Sequence, residues 1–468
     1  MIICIDSFDF QLKYKLRKCR RICINDLYGV FFMRMLMMLM GIVFQTACFH
    51  DTDEAAIDDG FLKKFSGDIA QSDKVRLQPQ ISDTDLDAQI TGNVDFSLGL
   101  YKKLSNDSDF QNKNIVFSPF SISLAMAMLS AGAANNTLEE INQSLNFDSR
   151  QAVLHNAFNS LDLGFASRAG NFKRADSSIG EIELNISNDL WGQEEYDFEA
   201  TYLDNLAENY AAGMYLMDFS ANAELARTEI NQWISSQTKN KITDAMPQGS
   251  VTNDTRLVLT NTVYLKGSWF RPFDASLTSD SGFELLDGTI VSVPFMNQQA
   301  EFAIYQAEDV TAVEMTMVGE QLALLVLMPA ASTFTSYEST FDRDKLSSIL
   351  MAMQSSRIQL SMPKFDFKFD LPLKEKLKAL GVVDAFNPMT ADFSRIDGNT
   401  GLYVQSAIHK AFITVDEVGA EAGAFTGFSI GVTSVPPSIV IDKSFLFLIR
   451  DKTNGSILFF GRVLDPSI

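Results

Sequence analysis

The chain has 468 residues, 46% apolar and 21% charged, an ordinary globular composition with material for a sizeable core. Asp plus Glu outnumber Lys plus Arg by 59 to 38, and the net charge of -21 excludes a general nucleic-acid binder, which needs a basic face to displace phosphate counterions. All four cysteines (Cys4, Cys19, Cys23, Cys48) precede Phe49 and the histidines are only His50, His155 and His409, so the body lacks thiols for a disulfide, and zinc clusters and most histidine catalysis are disfavoured.

In chain order, residues 1–48 read as a leader. A basic stretch at 13–21 precedes 33–48, where a short basic start, about ten apolar residues and then small residues run up to a cysteine, the pattern of a secretory signal. Such a run is too short to span a bilayer, which takes about 20 residues. Its Thr46-Ala47-Cys48 ending, followed by an abrupt polar turn, resembles a bacterial lipoprotein signal. Cys48 is then the lipidation candidate, and the protein is expected outside the cell or in its envelope, with a lipid anchor to the membrane. Gln45 departs from the Leu usual in such signals. An ordinary cleaved signal or an uncleaved anchor fits the same residues, and 1–32 also read as an upstream extension. Residues 49–90, with ten acidic and four basic side chains, read as a solvated, disordered tether without specific contacts. No repeat or Pro/Gly-rich break divides 91–468, which read as one domain.

Within that domain helical periodicity marks 94–104, 121–131, 137–145 and 225–238, the last with Ile230, Trp233 and Ile234 on one face. His155 reads as a surface helix residue. Strands are predicted at 255–265, 321–328, 358–369, 411–415, 445–449 and 457–463. Helices dominate the first half and long strands the second, which predicts an α+β fold with helices packed on antiparallel sheets.

Catalytic motifs fail on context. Gly427-Phe428-Ser429-Ile430-Gly431 fits a nucleophile elbow, but the following Val432-Thr433-Ser434-Val435-Pro436-Pro437 cannot start a helix and no histidine lies downstream of Ser429. Ser279-Asp280-Ser281-Gly282 lacks the preceding Gly of a protease serine loop. Walker A, H-E-x-x-H and EF-hand patterns are absent, so an enzyme is not expected.

A series of segments across 92–468 resembles the serpins in order and spacing. They include Asn114-Ile115-Val116-Phe117-Ser118-Pro119-Phe120-Ser121-Ile122-Ser123, Asn261-Thr262-Val263-Tyr264-Leu265-Lys266-Gly267-Ser268-Trp269, His409-Lys410-Ala411, Val415-Asp416-Glu417-Val418-Gly419-Ala420-Glu421-Ala422, Asp442-Lys443-Ser444-Phe445-Leu446-Phe447 and Gly461-Arg462-Val463. The resemblance implies a serpin fold: helices on a large mixed central sheet, two smaller sheets and an exposed reactive-centre loop at about 417–437. It also implies a serine protease inhibitor acting as a suicide substrate, monomeric, without cofactor or metal, forming a covalent one-to-one complex with its protease. After cleavage the loop inserts as an extra strand of the main sheet. The alternative is a non-inhibitory serpin acting as a binding or structural surface protein.

By the family's spacing, fifteen residues from Gly419 reach Thr433, which makes Thr433–Ser434 the bait bond, with 432–433 as the neighbouring alternative. Thr433 is small and β-branched, so elastase-like or subtilisin-like proteases are expected over trypsin-like ones. Side chains alternate along a strand, placing Ala420, Ala422, Ala424, Thr426, Phe428, Ile430 and Val432 on one uncharged face fit for burial. Glu421, Gly423, Phe425, Gly427, Ser429 and Gly431 take the other, toward solvent. Gly423 and Phe425 interrupt what is usually a run of small residues. The hinge is 417–426, with Glu417, Gly419 and Ala420 at its start. The resemblance further places Ser118, Ser121, Asn261 and His409 in a polar cluster beneath the parting strands and Trp269 at the top of the opening. An ordinary satisfied polar core and an ordinary buried Trp describe these residues equally well. Glu417 either anchors the hinge by charge pairing or is a solvated strand end.

Overall fold

The computed structural model describes residues 67–420 and 436–468. Cys48 and the leader, the tether to residue 66, and Glu421, Ala422, Gly423, Ala424, Phe425, Thr426, Thr433 and Ser434 lie outside the described residues.

The chain opens with β1 (Ile69–Ala70), α1 (Asp83–Ser105), β2 (Ile115–Phe117), α2 (Pro119–Ser130), α3 (Asn135–Leu145), α4 (Gln151–Ala166), β3 (Gly170–Lys173) and β4 (Ile179–Gln193). Next come α5 (Ala200–Tyr210), β5 (Met214–Met217), α6 (Phe219–Gln237), β6 (Leu257–Ser268), β7 (Ser279–Glu284), β8 (Ile290–Gln306), β9 (Val310–Thr316) and β10 (Leu322–Pro329). The last third holds α7 (Phe334–Thr340), α8 (Arg343–Ala352), β11 (Gln354–Pro363), β12 (Phe365–Leu371), α9 (Leu373–Leu380), α10 (Ser394–Asp397), β13 (Ala407–Val415), β14 (Gly419–Ala420), β15 (Ser438–Val440), β16 (Phe445–Asp451) and β17 (Ile457–Val463).

Residues 67–90 are not the contact-free tether expected. α1 begins at Asp83 because Ser82 Oγ accepts from the Asp85 N–H at 3.1 Å and because Asp83 and Asp85 suit the positive end of the helix. That polar opening turn carries no apolar period to be read. Upstream, β1 pairs with β5, and residues 71–82 strap α4 to α5. Arg76 reaches Asn159 Oδ1 (2.8 Å) and Asp162 (2.8 Å), the Asn159 amide donates to the Leu77 carbonyl (2.9 Å), and the Leu77 N–H donates to the Glu208 carbonyl (2.8 Å). His155, expected on the surface, is buried on α4 with Nδ1 2.6 Å from Tyr210 Oη; burial pushes its pKa down to about 4.

Among the described residues the central sheet runs β1-β5-β4-β6-β13-β12, with β3 also on β4 and β14 also on β6. The remaining strands run β15-β11-β8-β9-β10-β16-β17-β2, with β7 on β8, so the two smaller sheets join through the long β8. The predicted strand 358–369 is two strands in different sheets: β11 ends at Pro363, and after Lys364 the chain enters β12. The first half also holds β4, fifteen residues long, which the helix-rich reading missed.

β4 and β6 pair from Ile182 to Gly192, whereas β13 runs parallel to β6 for only four rungs, Ala407 to Lys410 against Leu259 to Thr262. Residues 263–266 of β6 have no ladder partner on that side among the described residues, and β14 meets β6 above them, antiparallel, at Gly419↔Ser268 and Ala420↔Gly267. Among the described residues the sheet is thus parted along a seam between β6 and β13. α2, buried all round, packs on one face of it, while α6 covers the other through Phe219, Ile230 and Ile234 against Trp191, Tyr264 and Phe412.

Candidate functional site

The closed end of the seam is a buried polar cluster. Ser118 caps α2, accepting from the Ser121 N–H (3.4 Å), while Pro119 occupies the first turn, where no N–H partner is needed. Ser121 Oγ donates to Asn261 Oδ1 (2.7 Å), and Asn261 Nδ2 donates back to the Ser121 carbonyl (2.6 Å) and to Asn188 Oδ1. His409 closes the group, with Nε2 accepting from the Ser118 N–H at 3.0 Å and Nδ1 2.6 Å from Asn261 Oδ1. Because Nε2 accepts, the ring proton sits on Nδ1 and the imidazole is neutral. Burial pushes its pKa down to about 3. Asn188 was missed in the sequence; its role follows only from standing opposite Asn261 on the neighbouring strand.

The open end of the seam holds the hinge. Buried Trp269 donates from Nε1 to the Asp416 carbonyl (2.8 Å) and from its backbone to the Val418 carbonyl (2.8 Å). The Glu417 carboxylate accepts from Lys364 Nζ (2.8 Å) and Thr278 Oγ1 (2.7 Å), so Glu417 is an anchored residue and not a solvated strand end. Burial alone would lift its pKa, but these two bonds outweigh that effect and hold the carboxyl below its usual value. Asp416 goes the other way: burial raises it, partly opposed by the Val418 and Gly419 N–H groups. At Gly419 an added Cβ would sit 2.1 Å from the Gly267 carbonyl oxygen, so only glycine allows the hinge this close to β6. Ala420 follows, 4% exposed and packed in the main core.

The five residues named from the sequence therefore fall into two groups, Ser118, Ser121, Asn261 and His409 below the unpaired stretch of β6 and Trp269 above it. Between them Tyr264 and Phe412 face each other across the seam with ring centres 5.8 Å apart. Lys364, Thr278 and Asp416 complete the upper group; Asp416 belongs to the segment 415–422 that resembles the family, whereas Lys364 and Thr278 carried no signal in the sequence. Ser279-Asp280-Ser281-Gly282 lies on the exposed strand β7, and Ser429 is outside the described residues.

The family model described as serpin (serine protease inhibitor) matches residues 91–466. Human serpin B3 is 33% identical over 390 residues, covering 80% of this chain and 98% of its own. The leukocyte elastase inhibitor of Xenopus laevis is 31% identical over 379 residues, covering 79% and 97%. Among solved structures, human thyroxine-binding globulin superposes with a TM-score of 0.72 at 30% identity, over 82% of this chain and 100% of that one. Gly419 and Ala420 paired on the upper end of β6, a family match over residues 91–466 and relatives covered almost end to end lead to one conclusion: the chain belongs to the serpin family.

Proposed function

We propose that this serpin inhibits serine proteases as a suicide substrate, and that the hinge residues paired on β6 are the start of its inserting strand. Directly opposed residues of an antiparallel pair share a face. Extending Gly419↔Ser268 and Ala420↔Gly267 along β6 would set Ala422 against Leu265, Ala424 against Val263, Thr426 against Asn261, Phe428 against Leu259 and Ile430 against Leu257. Leu257, Leu259, Val263 and Leu265 pack in the main core, so the uncharged set chosen by alternation is the one that enters it. In that register the other set, expected toward solvent, would come beneath α6, where Gly423 opposite Tyr264 would leave room and Phe425 opposite Thr262 would not. This register carries the proposal.

The protease serine attacks the Thr433 carbonyl, the bond to Ser434 breaks with release of its amine, and the acyl-enzyme travels with the freed segment. Burying Phe428, Ile430 and Val432 contributes about 1.5–3 kcal/mol each, against roughly 1–2 kcal/mol per residue to order the strand. New ladder bonds and relaxation of the parted sheet must therefore supply the drive, and the uncleaved form is kinetically trapped. A small Thr433 suits elastase-like or subtilisin-like targets, and a relative named as an elastase inhibitor supports this. The leader supports export and lipid attachment at Cys48.

Incubating the full chain with an elastase tests the reading on a denaturing gel. A covalent one-to-one adduct is expected, and Ala420→Arg should abolish it while leaving loop cleavage intact. Cleavage without adduct by any small-residue protease, and no rise in thermal stability of the nicked chain, would instead identify a non-inhibitory surface protein.

A further inference from the structure

The turn that follows α6 touches both sides of the seam. Tyr264 on β6 and Phe412 on β13 belong to the apolar cluster under that helix, and each ring carries a cation from this one turn. Lys239 Nζ lies 5.0 Å from the Tyr264 ring centre, and Lys241 Nζ lies 5.7 Å from that of Phe412. Lys239 is also ion-paired with Glu183 on β4. One side of the seam is thus held by Lys239 and the other by Lys241, two positions further on. We infer that the two lysines form a clasp that holds β6 and β13 together in the uncleaved chain and so sets how fast a strand can enter between them. Both are positioning residues for the proposed insertion, on which the inference rests.

The backbone of the turn is held in a demanding shape. Lys239 (φ 50°) and Asn240 (φ 61°) are both left-handed, a conformation uncommon for residues with a Cβ and kept only where the neighbours enforce it. Thr238 enforces it from within: fully buried, its Oγ1 donates to the Ile234 carbonyl (2.8 Å) and accepts from the Ile242 N–H (3.2 Å). Asn240 closes the other side, its N–H donating to the Ser235 carbonyl (2.8 Å) and its Oδ1 accepting from Ser235 Oγ (2.9 Å). The two lysine stems therefore start from fixed points.

The clasp fits a narrow seam, across which the two ring centres stand 5.8 Å apart. An entering strand would set Gly423 beside Tyr264, and strands two places apart in a sheet lie about 9.5 Å from each other. The rings would have to separate, and a turn that does not widen would give up one of them. A contact present before entry and lost during it slows entry.

A fluorescent synthetic peptide of residues 419–433, added to the full uncleaved chain, tests the clasp without a protease, its incorporation being followed by anisotropy. Lys239→Met and Lys241→Met keep an apolar stem and remove the charge, and each should speed incorporation about three- to tenfold. Lys241→Arg puts a cation back over the Phe412 ring and should bring the rate to within about twofold of the wild type. The share of protease trapped as adduct is the second readout and should rise for both Met variants. A role in packing alone predicts wild-type behaviour for those variants, so unchanged incorporation with an unchanged adduct share would overturn the clasp and leave insertion standing. Absence of both incorporation and adduct in every form would overturn the two together.

Discussion

His409 and Asn261 face each other as main-chain partners of β13 and β6 and are joined again by a side-chain hydrogen bond of 2.6 Å. The four-rung contact below the open seam is therefore pinned twice at one rung. His409→Leu removes the second pin and strands the Ser118 N–H in the interior. A loss of about 1–3 kcal/mol is expected, read as a lower midpoint of urea unfolding; an unchanged midpoint would mean that the seam is held elsewhere.

The same histidine sets a pH response. Its folded pKa, about 3, and that of His155, about 4, lie below the ordinary histidine value of 6.5, so between these limits the unfolded chain binds more protons. Their contribution is complete above about pH 6.5 and declines as pH falls toward 3. Asp189 opposes it: with a folded pKa of about 6 it penalises the native state above that pH, and the penalty fades toward pH 4. Two histidines against one aspartate should leave melting temperature falling from pH 6.5 to 4. Asp189→Asn should steepen that fall and raise the melting temperature at pH 7.

Gly419→Val forces a Cβ against the Gly267 carbonyl. The hinge should leave β6, and the gel assay should show cleaved chain without adduct.

Phe425→Ala removes the one bulky side chain that the proposed register carries beneath α6. The share of protease ending as adduct should rise relative to cleaved inhibitor, and an unchanged ratio would argue against that register.

Arg76→Ala leaves the Asp162 carboxylate unpaired in a mostly buried position between strap and helix. About 1–3 kcal/mol should be lost, with faster amide exchange concentrated in α4 and β5.

Much of the architecture was legible where one face is apolar and the other polar, or where an apolar run is cleanly bounded. The strand predicted at 457–463 coincides with β17. β4 was not legible, because Asn185, Ser187 and Asp189 interrupt it with polar side chains whose partners, Gln237 and Trp233 among them, come from α6. The run 358–369 looked unbroken because β11 and β12 share a strand-like composition, and the switch of sheets at Pro363 and Lys364 leaves no gap in it. In the site, Ser118, Ser121, Asn261, His409 and Trp269 were readable from motifs. Lys364 and Thr278 were not, since they meet Glu417 from 53 and 139 positions away.

The stitching of β1 to β5 decides where a mechanical load would enter. Tension arriving along the chain from upstream of Asp68 is taken up as shear at the sheet's outer margin and by the Arg76 strap, with β4 interposed before β6. A molecule tugged by its front end would load β1 and β5 first and reach the rungs between β6 and β13 last.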